Sequence, residues 1–174
     1  MQERISNCVL QVIAASVGTK GEGVYLIDIK VKGKAGSRKI EILMDTDTGI
    51  SIDQCAWFGR RIREKFESDD DLLEVIGENV DLMVSSPGLG EPIIMYRQYP
   101  RHIGKLLRVR YTDSSGEVAE LTGHLQEVSL SGESTPRIVI TPESDKKKLR
   151  QQPKVEGIAL YLDQVIQAIP EAEL

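Results

Sequence analysis

Ile5, Cys8, Val9, Val12, Ile13 and Val17 recur at three- and four-residue spacing, with Glu3, Arg4, Asn7 and Gln11 between them. That period lays one apolar stripe along an amphipathic helix, which the pattern ends near Gly18. The next run, Val24 to Val31, is β-branched and partly alternating, so it predicts a strand. A loop with Gly33, Gly36 and Ser37 leads to a second such run, Lys39 to Met44, and the two are expected to pair antiparallel. Asp45 to Gly49 make a polar turn. Ser51 followed three residues later by Gln54 is a capping box, in which each side chain serves a free amide of the first helical turn. The helix it opens is expected to turn Ile52, Cys55, Ile62 and Phe66 toward one face, with Arg60, Arg61, Arg63, Glu64 and Lys65 over much of the rest. Asp69 to Asp71 read as an exposed loop, and Val80, Leu82 and Val84 alternate as a third strand. The order α-β-β-α-β points to helices packed on one face of a small mixed sheet.

Ser85-Ser86-Pro87-Gly88 halts that strand, because proline has no N–H to give a ladder and glycine accepts backbone angles other residues avoid. Pro92 follows closely, and the pattern then changes to short strands separated by turns: Leu106 to Tyr111, Glu117 to Val128, Arg137 to Thr141 and Gly157 to Leu162. With one helix-like piece, Asp163 to Ala168, they predict a small β-barrel. The boundary is placed at Leu89 to Pro92, giving an N-terminal α/β domain over 1–90 and a β-barrel domain over 91–174. The fold class is α+β.

Composition adds bounds. A chain of 174 residues, 40% hydrophobic and 28% charged, can bury a core and is too mixed for a disordered tail. It has no apolar run of about 18 residues that would span a membrane. Met1 to Val17 keep polar residues throughout, unlike a signal peptide, so a cytoplasmic location is the expectation. Residues 1–91 hold 11 Lys or Arg against 16 Asp or Glu, whereas residues 92–174 hold 11 of each. An acidic half disfavours a dedicated nucleic-acid binder and suits a basic protein partner.

Candidate chemistry is sparse. Cys8 and Cys55 lie far apart, and the two histidines, His102 and His124, offer no paired metal-ligand spacing, so no metal and no cofactor is expected. Val84 to Gly90 resembles a phosphate loop in having a preceding strand and two glycines, but Glu91 and Pro92 follow where a helix N-terminus would be needed. Ser85 or Ser86 as a nucleophile lacks a positioned base. Asp45-Thr46-Asp47-Thr48-Gly49 starts like a calcium loop and then runs into Ile50-Ser51-Ile52, which fits a turn and helix cap better. No catalytic residue is assigned. Lys146, Lys147, Lys148, Arg150 and Lys154 form the sharpest charge cluster, readable as a solubilising insertion or as an rRNA contact. Lone Trp57, beside Phe58, reads as core packing or as a partner anchor.

Three stretches resemble the bacterial ribosome maturation factor RimP family: Gly23 to Ile29; Ile42 to Asp45 with Gly49 to Cys55; and Val80 to Leu89, the most distinctive. The resemblance implies an SH3-like, Sm-related barrel for the second domain and a non-enzymatic role. It implies binding to immature small ribosomal subunits, to small-subunit ribosomal protein twelve and to 16S rRNA, by a monomer. The partner surface is expected around Asp45, Asp53 and the segment Ser85, Ser86, Pro87, Gly88 and Leu89. One departure is plain: Gly90-Glu91-Pro92 stands where the family usually has Asp-Arg-Pro. The alternatives are a ring-forming Sm-type module on small RNAs, and a hydrolase using Ser85 or Ser86.

Overall fold

The computed structural model describes residues 1–143 and 156–173. Lys146, Lys147, Lys148, Arg150 and Lys154 lie outside the described residues. The chain divides into two compact units, Met1–Pro87 and Gly88–Leu174.

The first unit runs α1 (Gln2–Ala14), β1 (Tyr25–Lys32), β2 (Arg38–Asp45), α2 (Ile52–Glu67), α3 (Asp70–Ile76) and β3 (Val80–Ser85). β1 and β2 pair antiparallel as the two apolar runs predict, with Tyr25 opposite Asp45 and Lys32 opposite Lys39. β3 joins the other side of β2 in parallel, from Arg38 opposite Val80 to Leu43 opposite Ser85. A parallel neighbour needs a crossover connection, and α2 with α3 supplies it. Ile5, Val9, Ile40, Ile42, Met44, Phe58, Ile62 and Ile76 bury almost completely in one core shared by helices and sheet.

α2 opens as its sequence requires. The Gln54 amide donates to Ser51 Oγ at 3.1 Å, and the Ser51 amide donates to Gln54 Oε1 at 3.0 Å. Ile52 departs from the expectation: at 88% exposed it lies off the buried face, because the core-facing row of α2 runs through Phe58, Ile62 and Phe66. Val17 likewise falls beyond the end of α1 and is 74% exposed. The acidic run is no loop. Asp69 caps α3, its carboxylate accepting the Leu72 amide at 3.0 Å, and Leu72 and Ile76 bury in the core.

The second unit carries a 3-10 helix (Tyr96–His102) and strands β4 (Leu106–Thr112), β5 (Val118–Ser129), β6 (Arg137–Pro142), β7 (Ile158–Tyr161) and β8 (Val165–Pro170). The expected β-rich second unit is present, and one of its elements differs from the expectation. All described pairings are antiparallel, in the order β7-β6-β5-β4-β8, and among the described residues no pairing joins β7 to β8. The helix-like piece Asp163 to Ala168 is a single 3-10 turn, Leu162–Gln164, followed by strand β8. Ala168 and Pro170 bury on one face with half-buried Gln167 and Ile169 on the other, a period of two, and Ile166 at the start of the buried face is still exposed. The core here gathers Tyr99, Leu107, Val109, Leu125, Ile138, Ile140 and Leu160.

Candidate functional site

Because β2 and β3 run parallel and Leu43 faces Ser85, the segments leaving both strands emerge at one end of the sheet. Clefts at the carboxyl ends of parallel strands are the usual place for binding surfaces in open α/β sheets. That end holds the Asp45 turn, the first turn of α2 with Asp53, and the exit segment from Ser85.

The residues there differ in what they can do. Asp45 is completely buried, so it is no part of an accessible partner surface. Its carboxylate accepts the amides of Thr46 at 2.9 Å and Ile50 at 3.1 Å, holding closed the turn that aims α2. Asp53 is exposed in the first turn of α2, where a negative charge also suits the helix dipole. Ser85 Oγ donates to the Glu41 carboxylate at 3.3 Å, so its hydroxyl is already engaged. Ser86, Gly88 and Leu89 are exposed, Leu89 at 66%, and Pro87 is half-buried.

Beyond Gly88 the chain is tied into the second unit. The Glu91 amide donates to Gly88 O at 3.2 Å, closing a turn around Gly90, whose φ of +83° is left-handed. A residue with a Cβ resists that angle, which accounts for glycine at this position. The Gly90 amide donates to Pro170 O at 3.0 Å and the Ile93 amide to Ala168 O at 2.8 Å, lacing the segment to β8.

The two histidines sit in different surroundings. His124 Nε2 lies 2.9 Å from a Glu173 carboxylate oxygen, on the exposed side of β5. His102 is 8% exposed, and burial, reinforced by Arg101 and Lys105, pushes its pKa down to about 4. Cys8 is buried and its thiol is pushed up to about 11, chiefly by desolvation. Among the described residues no group of three His, Cys, Asp or Glu could hold a metal, and no helix is long and apolar enough to cross a membrane.

One feature escaped the sequence pattern. An open groove of about 430 Å³ runs between α1 and α2, with Val12 and Ala15 on one wall and Trp57, Arg61 and Lys65 on the other. Trp57 is half-buried: its ring meets Phe58 edge-on at 4.9 Å and carries the Arg61 guanidinium 5.5 Å from its centre. It both packs on the core and lines the groove. The i, i+4, i+8 row was visible in the sequence; the facing wall from α1 was not, since it comes from tertiary packing.

Comparison with known proteins decides the family. Residues 14–90 match the model of the RimP N-terminal domain. The chain is 70% identical over 174 residues, covering all of both chains, to the ribosome maturation factor RimP of Pelodictyon phaeoclathratiforme. The chain belongs to the RimP family. The RimP of Chlorobium phaeovibrioides is 51% identical, again across both full lengths. The RimP of the more distant Cytophaga hutchinsonii is 32% identical over 139 residues, which is 79% of this chain and 75% of that one. The relatives are named as ribosome maturation factors, and a non-enzymatic chain is consistent with that family. The family's distinctive Val80 to Leu89 stretch is thus β3 and its exit, a structural element before it is anything else.

Proposed function

We propose that this chain is a cytoplasmic maturation factor for the small (30S) ribosomal subunit, binding immature particles together with small-subunit ribosomal protein twelve and 16S rRNA. The carrying observation is 70% identity, over the full length of both chains, to a protein named as a ribosome maturation factor. The exposed groups at the carboxyl end of the β2–β3 pair, Asp53 and Ser86, supply protein-facing surface on the first unit, exposed Gly88 and Leu89 supply it where the second unit begins, and the Ser85 hydroxyl is held by Glu41. The mix of exposed carboxylate and exposed apolar side chain suits a basic protein with an apolar anchor. Lys146, Lys147, Lys148, Arg150 and Lys154 add rRNA contact through charge alone. The second unit takes the SH3-like form: bulges between Leu125 and Glu127 on β5 and between Arg110 and Tyr111 on β4 bend its sheet toward closure.

Sedimentation tests the proposal. The tagged chain should travel with small-subunit precursors, and not with translating ribosomes, in gradients run at low salt. Absence from every ribosomal fraction at matched expression would reject it. Light scattering should give a monomer; a stable ring would favour a free-standing Sm-type RNA binder instead.

A further inference from the structure

We propose that the groove between α1 and α2 is a binding site for unpaired RNA. The inference deepens the small-subunit reading above and rests on it for the source of that RNA.

Three observations converge on the groove. Trp57, Arg61 and Lys65 stand at i, i+4 and i+8 on α2, so they form one row along its wall, with neighbouring Cβ atoms about 5–6 Å apart. The Arg61 guanidinium already lies over the indole, 5.5 Å from its centre, and makes a two-part platform of the kind on which bases stack. Gln11 brings a side-chain amide that both donates and accepts hydrogen bonds, and the Ser68 hydroxyl, which donates to Lys65 O, can still accept, which suits base edges.

Charge supports the same occupant. The first 91 residues are acidic as a whole, yet four of their 11 Lys and Arg residues, Arg60, Arg61, Arg63 and Lys65, lie exposed on α2. Of these, Arg61 and Lys65 line the groove while Arg63 lines other clefts of the unit, so the groove offers two cations to the phosphates of a single strand. Glu64 is the one acid on the groove wall, paired with Arg61 at 3.2 Å. The pair is exposed on both sides and so is readily exchanged for a phosphate. An acidic peptide would also meet the cations, but it would leave the stacking platform and the hydrogen-bonding rim without a use.

Trp57 is the only tryptophan, so its emission reports this groove alone. Titrating the full chain with single-stranded hexa-adenylate at low salt should quench that emission. Its binding constant should fall with rising salt, with a log–log slope of about −1.4 for two phosphates. The double variant Arg61→Gln, Lys65→Gln changes only exposed side chains and should bind at least about ten-fold more weakly. Glu64→Gln should bind more tightly than the parent. Unchanged quenching in the double variant, or tighter binding of a hexa-glutamate peptide than of the RNA, would overturn the proposal. Sedimentation with small-subunit precursors is scored separately: its absence in the parent chain rejects the small-subunit role, whatever the groove does with hexa-adenylate.

Discussion

His102 shows how a single side chain sets a pH limit on the fold. It sits 8% exposed at the end of the 3-10 helix, its Nδ1 is buried without a partner, and its pKa is lowered from 6.5 to about 4. The folded chain keeps the ring neutral while the unfolded chain protonates it below about 6.5. Between those values the unfolded state binds more protons, so stability falls as pH falls. His102 contributes fully above pH 6.5 and nothing below about pH 4, a difference of about 3 kcal/mol at most. Urea midpoints at pH 7 and pH 4.5 should differ less in His102→Gln than in the parent. Gly21 is a second sensitive residue. A Cβ there would come within 2.7 Å of the Phe58 ring and 2.9 Å of Trp57. Because Phe58 is fully buried and cannot retreat, Gly21→Ala should cost about 1–3 kcal/mol, seen as a lowered melting temperature. Neither limit can be read from the sequence, since each depends on what tertiary packing brings against the residue. The Asp45 turn was legible only as a turn: that its carboxylate is buried and holds Ile50, five residues on, follows from where β2 ends.

At the scale of elements, legibility tracked length and period. β1, β2 and the capped start of α2 were foreseen because each carries its own signal: an apolar run of strand length, or two side chains at capping spacing. α3 was missed because seven residues opening on two acids give a short apolar pattern, and its stability comes from burying Leu72 and Ile76. β8 has no clear strand signal because its apolar residues Val165, Ile166, Ala168 and Ile169 also fit a helical spacing. The capping box is directly testable: Ser51→Ala removes an acceptor for one amide and should lower stability by about 1 kcal/mol, without shifting the secondary-structure content of the rest. Gly123 in β5 marks a tighter constraint. An added Cβ would run into the Thr141 carbonyl and the Ile140 side chain across the β5–β6 ladder. Gly123→Ala should therefore cost at least about 2 kcal/mol and broaden the amide spectrum of the second unit first.

For the whole molecule, the family and the two-part plan were legible, while the surfaces that act were only half so. The Val80 to Leu89 stretch announced the family, but the structure spends much of it on β3 and its Glu41 contact. The α1–α2 groove depends on two segments far apart in the chain, one ending at Thr19 and the other beginning at Trp57, and so has no linear signature. If both surfaces act, Leu89→Asp should weaken the protein contact while leaving hexa-adenylate quenching intact, and the Arg61, Lys65 double variant should do the reverse. Pull-down with purified ribosomal protein twelve, beside the fluorescence titration, checks that separation.

The strand pairings carry a last consequence, for the order of events during synthesis. Every described ladder joins strands of the same half: β1, β2 and β3 before Pro87, and β4 to β8 after Gly88. The final strand of the first sheet is the last piece of its unit to leave the ribosome. Once Ser85 has cleared the exit tunnel, that sheet has all its partners while the second half is still being made. In the second half, β4 lies between β5 and β8, so it waits on an edge that arrives near the end of the chain. Stalled nascent chains extending past Ser85 should already protect the first sheet from protease, whereas the second should gain protection only when Pro170 emerges.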